Sequence, residues 1–416
     1  MKKLIPLSEV RLGMHLEELE GEWIDHPFWK SRFVLKEPAD LVKLRESKLR
    51  GVWIDTAKGL DVAEPAAATP VPRARAAAVR MPAQGPAPAR APAPPPVSAR
   101  THLDEELAKA AAVCNSGRAQ VMSMFAEARL GKAVDAEACM PLVNDITDSV
   151  FRNPGALVSL ARLKTQDDYT YMHSVAVCAL MVALANELQM SPADCRIAGM
   201  AGLLHDMGKA MMPPELLTKP GKLSDDEFAV IRTHPQRGHD LLVEGNGVSA
   251  PVLDVVLHHH EKVDGSGYPH GLTGDTMSLL AKMGAVCDVY DAITSNRAYK
   301  QAWDPAESIA RMASWKGHFD PDVFKAFIRS LGIYPNGSLV RMKSDNLAVV
   351  VDQNTGNLAK PVVKIMYSLK SQLPVTPRKV DLSASQDAIV GRESPEKWGF
   401  GSLDHLWAGD AAPQRR

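Results

Sequence analysis

Paired cysteines, long apolar runs and an excess of either charge are all missing from this 416-residue chain. The five cysteines (Cys114, Cys139, Cys178, Cys195, Cys287) form no CxxC pair. An odd, unpatterned set fits reduced thiols in a cytoplasmic protein. The longest apolar run, Val175 to Ala185, has 11 residues, against the ~20 needed to span a bilayer, so no membrane insertion is expected. The N-terminus carries two lysines but no apolar stretch of the signal-peptide kind. Lys and Arg number 48 and Asp and Glu 49, a formal charge of -1. That balance excludes a protein devoted to duplex nucleic acid or an anionic membrane. It leaves room for a small anionic substrate held by a local basic patch.

What is present is ordinary globular material, 45% hydrophobic and 23% charged, long enough for two to four domains. One composition break divides it. Residues 62–100 hold 14 Ala and 10 Pro, too little side chain to offset the entropy of ordering them, and read as an extended linker. Ahead of it, 1–61 reads as a small α+β module, with strands at 32–35 and 51–55 around a helix over 39–49. From 101 to 335 the spacing is helical, with segments over 105–113, 135–153, 172–188, 195–204, 225–233, 252–258 and 306–314. Beyond it, 336–416 reads as a short β extension (338–342, 347–351, 361–367) and, from 383, an irregular tail. The fold class expected is mainly α: an all-helical bundle with a small α+β N-terminal module and a C-terminal β extension.

Histidine carries the chemistry. Eight of the 13 lie between His173 and His270, a density that scattered core or surface histidines would not produce but a metal site would. His173 sits in an apolar helix. His205-Asp206 closes another and runs into Gly208-Lys209, where glycine allows close backbone approach and lysine supplies fixed charge. His234 precedes Pro235, where helices tend to stop. His258-His259-His260-Glu261 enters the loop Asp264-Gly265-Ser266-Gly267-Tyr268-Pro269. Asp288 and Asp291 stand three apart, on one helix face.

In this order the motifs resemble the HD-GYP subgroup of the HD phosphohydrolases. The resemblance also takes in the run 217–224, His234-Pro235, the run 288–292 and Ser295-Asn296-Arg297-Ala298-Tyr299; a lone His-Asp pair, such as His239-Asp240, would carry nothing. The segment 51–59 is similar to the end of a small uncharacterised domain often fused ahead of HD-GYP domains. The resemblance implies a phosphodiesterase that opens the bacterial messenger cyclic di-GMP to pGpG, and on to GMP, through in-line attack by a metal-bridging hydroxide. It implies two divalent ions, Fe or Mn, held by His173, His205, Asp206, His234, His259, His260 and Asp288, with Asp206 as the bridge; imidazole and carboxylate suit Zn and Ni as well. Lys209 would hold the scissile phosphate, Asp291 would orient a ligand or accept a proton, and Arg297 and Lys300 would grip the second phosphate. Gly267 and Tyr268 would shape the loop over the substrate and offer a contact to partners, diguanylate cyclases or other signalling proteins among them. A homodimer is a further expectation.

Two departures matter. Some relatives carry a glutamate four residues before the first histidine and bind a third metal; here Tyr169 stands there, so a dinuclear site is expected. His258 is an extra histidine, and a one-residue slip would exchange it for His260. Two other readings stay open. One is a non-catalytic module that binds cyclic di-GMP or docks regulators. The other is an HD hydrolase for a different nucleotide.

Overall fold

The computed structural model describes residues 2–20, 33–36, 38–46, 51–60, 101–164, 169–219, 221–295, 302–354 and 356–411. The expected linker, Arg297 and Lys300 lie outside them. The chain separates into two compact units, Met1–Pro94 and Pro95–Arg416.

The first unit is a four-stranded antiparallel sheet with one helix: β1 (Lys2–Ile5), β2 (His15–Glu20), β3 (Phe33–Val34), α1 (Pro38–Glu46) and β4 (Gly51–Asp55), in the order β1-β4-β2-β3. Val52 and Ile54 on β4 turn inward onto Ile5, Leu16, Leu35 and Leu44, while Trp53 between them faces out, the two-residue period of a half-buried strand. The sequence reading missed β1 and β2. Their texts, KKLI and HLEELE, are charge-rich and show almost no apolar alternation.

The second unit begins with α2 (Leu103–Arg129), far longer than the segment expected at 105–113. Asp104, Glu105 and Glu106 lie in its first turn, beside the free N–H groups and positive dipole end. Glu106 is fully buried and accepts from Arg152 Nε and Nη2, both at 2.8 Å, and from Ser149 Oγ at 2.9 Å. That ties α2 to α3 (Met140–Arg152). Asn153 caps α4 (Pro154–Ala161) by accepting from Gly155 N at 2.9 Å.

The centre of the bundle is α5 (Tyr169–Glu187), buried without a break from Met172 to Ala185. It is packed by α2, α3, α4, α6, α11 and α13, as an all-round apolar helix requires. By length and composition this helix could cross a membrane; here 78% of its apolar window is buried inside the protein. Truncating a buried leucine on it, Leu180 or Leu184, costs about 2–5 kcal/mol. Around it run α6 (Pro192–Leu204), capped by Ser191, then α7 (Pro214–Leu217), α8 (Asp225–Ile231), α9 (His234–Val243) and α10 (Ala250–His258). The bundle is completed by α11 (Leu279–Thr294), α12 (Pro305–Ser314) and α13 (Pro321–Leu331). Helix α9 starts at His234 with Pro235 in its first turn. Proline was read there as a stop, but the N–H it lacks has no partner in a first turn in any case.

A five-stranded antiparallel sheet follows: β5 (Leu339–Met342), β6 (Asn346–Asp352), β7 (Val362–Ser368), β8 (Leu373–Asp381) and β9 (Ile389–Arg392), in the order β8-β7-β6-β5-β9. The tail expected to be irregular from 383 is therefore structured. Strand β9 pairs with β5, and α14 (His405–Ala408) buries Leu406 and Trp407. The Arg162 guanidinium lies 5.8 Å from the Trp407 ring centroid and donates to Asn336 O at 3.1 Å. These contacts are between residues far apart in sequence, which local patterning cannot register.

Candidate metal centre

Four helix ends and the body of a fifth helix deliver the cluster. His173 is one turn into α5, His205-Asp206 follows α6, and His234 opens α9. His259 and His260 follow α10, and Asp288 and Asp291 lie on α11. The approach of α9 to the end of α6 depends on Gly208, where a Cβ would stand 1.9 Å from His234 O. The 262–272 loop doubles back as closely, and a Cβ on Gly267 would stand 2.4 Å from Glu261 Cα. Larger residues would push each pair of segments apart.

Asp206 sits between two groups of imidazoles. Its Oδ2 is 3.4 Å from both His173 Nε2 and His205 Nε2, and its Oδ1 is 3.3 Å from His234 Nε2 and 3.8 Å from His259 Nε2. Asp288 spans them again, with Oδ1 3.0 Å from His173 Nε2 and Oδ2 3.5 Å from His260 Nδ1. The donor atoms form two groups, His173-His205-Asp206 and Asp206-His234-His259-His260, sharing Asp206.

The tautomers decide what this pocket can hold. His205 Nδ1 is 2.8 Å from Gly202 O, His234 Nδ1 is 2.8 Å from Ile231 O, and His259 Nδ1 is 3.0 Å from Val256 O. A carbonyl only accepts, so each Nδ1 carries the hydrogen and each neutral ring turns an Nε2 lone pair inward. Those Nε2 atoms meet in pairs, His205 with His173 at 3.2 Å and His234 with His259 at 3.3 Å. Two lone pairs cannot bond each other; a cation between them satisfies both. Asp206 Oδ1 is likewise buried with no hydrogen-bond partner. The residues fit a pair of divalent cations.

Electrostatics agree. Burial resists the ionisation of Asp206, but Lys209 and His205 outweigh it and hold the carboxyl well below its ordinary range. Asp288 is also buried, and its contacts with His173 and His205 keep it well below the carboxylate norm. Burial drives His259 well down and His260 to about 3, with the neighbouring His234 adding to the effect in both. Neutral imidazole is the ligating form. Against its burial, Asp206 and Asp288 draw His205 up to about 10, so without a metal this ring keeps a proton on Nε2, at the place a cation would take.

The seven residues named as candidate ligands in the sequence lie together here, six of them in the two donor groups and Asp288 beside both. Lys209 joins them, its Nζ 2.5 Å from Asp206 Oδ2. Asp291 Oδ2 lies 2.6 Å from His173 Nδ1. The Tyr268 ring is 4.8 Å from His260 and lies under the Arg232 guanidinium at 4.6 Å, with Phe228 at its edge. Tyr169 stacks on His173 at 5.8 Å and 9°. His258 faces elsewhere, with Nδ1 2.8 Å from Asp254 and Nε2 3.1 Å from His270, which resolves the ambiguity of register. His239 and Asp240 contact each other outside the cluster. Two residues had no assigned role in the sequence reading. Glu261, buried, accepts from the backbone N–H of His270, Gly271 and Leu272 at 2.7, 3.1 and 3.0 Å. Lys164, also buried, reaches Asp291; no spacing signal marks it.

Comparison with known proteins places the chain in a family. Residues 147–323 match the HD domain family and residues 2–139 a domain of unknown function (DUF3391). A cyclic di-GMP phosphodiesterase of Pseudomonas aeruginosa is 52% identical over 412 residues, 98% of this chain and 96% of its own length. The chain belongs to the HD-GYP family. Among other HD-GYP relatives, the response regulator RpfG of Xanthomonas campestris, a cyclic di-GMP phosphodiesterase, is 42% identical over 149 residues, 35% of this chain and 39% of its own. A 3'3'-cGAMP-specific phosphodiesterase of Vibrio cholerae is 35% identical over 167 residues, 40% of this chain and 38% of its own. This HD-GYP chain thus has relatives named for two cyclic dinucleotides.

Proposed function

We propose that this chain is a metal-dependent phosphodiesterase that opens cyclic di-GMP to linear pGpG, with GMP as the product of a second cut. The observation that carries the reading is the pair of imidazole groups sharing Asp206, one carboxylate oxygen turned to each. Near full-length likeness to the Pseudomonas aeruginosa enzyme supports this substrate over 3'3'-cGAMP.

His173 and His205 would hold one divalent ion and His234, His259 and His260 the other, with Asp206 between them and Asp288 completing the set. Iron or manganese suits this all-nitrogen-and-oxygen donor set. Two such ions supply Lewis acidity and acidify a water that can attack phosphorus. In the reaction the P–O bond to water forms as the P–O3′ bond breaks, and the departing 3′ oxygen takes up a proton. Lys209, beside Asp206, contributes the compact positive charge that a phosphate oxygen needs as negative charge grows on it. Arg297 and Lys300 would grip the second phosphate. Glu261 fixes the loop that carries Gly267 and Tyr268 beside His260.

We read the chain as a 1–61 module, a 62–100 linker, a 101–335 catalytic bundle and a 336–416 extension, working in the cytoplasm. Four of its cysteines are buried, and burial pushes the Cys114 thiol up to about 12, as suits inert reduced thiols. The test is turnover of cyclic di-GMP, 3'3'-cGAMP and a linear dinucleotide by the metal-loaded protein. A preference for cyclic di-GMP supports the proposal. Preference for the mixed nucleotide, or binding without turnover, rejects it for the corresponding alternative.

A further inference from the structure

Lys164 is the buried cation closest to the cluster whose presence the reaction chemistry does not explain. Its side chain is 0% exposed and its Nζ lies 2.5 Å from Asp291 Oδ2, across 127 residues of sequence. That same oxygen meets His173 Nδ1 at 2.6 Å. Ser295 Oγ adds a contact of 3.3 Å to the other carboxylate oxygen. The Tyr169 ring roofs the assembly, stacked on His173, with the Lys164 ammonium 5.5 Å from its centroid. Beyond the ring, His173 Nε2 points to Asp206, Asp288 and His205.

Burying an ammonium costs several kcal/mol unless it is paired, and removing one partner strands the other charge. The pair stands where it can act on His173. His205, His234 and His259 each lean on a carbonyl of their own or a neighbouring helical turn, a support that needs no counter-ion. His173 alone among these four leans on a carboxylate, and a buried carboxylate needs a cation to stay in place. The geometry points to Lys164 as a positioning residue: through Asp291 it holds His173 with Nδ1–H outward and the Nε2 lone pair inward, and so sets the affinity of the His173/His205 half of the centre alone. This rests on the dinuclear reading above.

The test is metal binding, not turnover. Wild type, Lys164→Met and Lys164→Arg are stripped, refilled with Mn and titrated with a chelator, and the folding of each apo form is followed by circular dichroism. A His234→Ala variant, which spoils the other half, is prepared with and without Lys164→Met. We expect Lys164→Met to weaken one of the two sites about 10–100-fold, the usual cost of losing an outer partner of a ligating histidine. Lys164→Arg, which keeps the cation, should recover most of it. The single ion left in His234→Ala should be held about 10–100-fold more weakly when Lys164→Met is added. Two sites of unchanged affinity in a folded Lys164→Met would overturn the role of Lys164 and leave the dinuclear reading standing. Equal weakening of both sites would also overturn it, as would an ion in His234→Ala that is indifferent to Lys164. Wild type that binds no metal would overturn the dinuclear reading and this inference with it. Should Lys164→Met not fold, Lys164→Gln, a neutral donor of similar length, replaces it under the same criteria.

Discussion

His173 Nε2, on α5, and His205 Nε2, just past the end of α6, stand 3.2 Å apart where α5 and α6 pack together. With His205 Nδ1 occupied by Gly202 O and His173 Nδ1 by Asp291, the two Nε2 atoms need a positive charge between them, a proton or a metal ion, and a divalent ion also answers Asp206 and Asp288. Metal removal should therefore cost stability. By mass action, each ion at 100 times its Kd adds about 2.7 kcal/mol. Chelator-treated protein should melt several degrees below the loaded form, and restored Mn or Fe should reverse the change. A melting temperature unmoved by chelator and metal would contradict the arrangement.

Gly208 gives a test of how α9 is delivered. A Cβ there would meet His234 O at 1.9 Å, so Gly208→Ala must push α9 away from Asp206. The His234/His259/His260 group should lose its ion first. Metal analysis should find about one ion per chain where wild type holds two, with helical content preserved in the far-ultraviolet spectrum.

Glu261 should act on the loop and not on the metals. Its two oxygens accept three backbone N–H groups, and Glu261→Gln replaces one acceptor with an amino group facing donors, a loss of about 1–3 kcal/mol. Hydrogen exchange over 262–272 should accelerate. KM should rise about 10-fold or more while metal content holds. Unchanged exchange would mean that the loop is fixed by other contacts.

The Glu106–Arg152 pair predicts a pH signature of stability. Burial resists ionisation of Glu106, but the bonds from Arg152 and Ser149 prevail and lower its pKa below 4.5. A group with a depressed folded pKa stabilises the fold above its unfolded value and loses that contribution as pH falls through the folded one. Glu106→Gln should thus melt well below wild type at pH 7, by about 2–4 kcal/mol in stability. The gap should narrow below pH 4. A gap independent of pH would assign the effect to packing.

Much of the centre was legible because its chemistry is concentrated in short motifs. His205-Asp206 and His259-His260 each follow a helix end, and Asp288 and Asp291 share one face of α11, so a few residues specify both identity and direction. The extra His258 shows the limit of that legibility. Only the turn of α10, which sends its Nδ1 to Asp254, separates it from its two neighbours. Lys164 was invisible for a different reason. Nothing in the apolar text before it announces that its ammonium meets an acid 127 residues later. In the fold, α5 was readable from its unbroken apolar run. Strands β1, β2 and β9 were not, since charged or glycine-containing strands lack alternation and owe their conformation to the strands beside them.

The central claim is that two cations share Asp206 in a catalyst for cyclic di-GMP. Metal per chain and turnover, measured on the same anaerobically purified protein and on Asp206→Ala, test it most directly. The account predicts about two ions and hydrolysis to pGpG in wild type, with loss of both in the variant, turnover falling by at least about 1,000-fold. Turnover that survives in Asp206→Ala, or wild type that hydrolyses cyclic di-GMP with no bound metal, would contradict it.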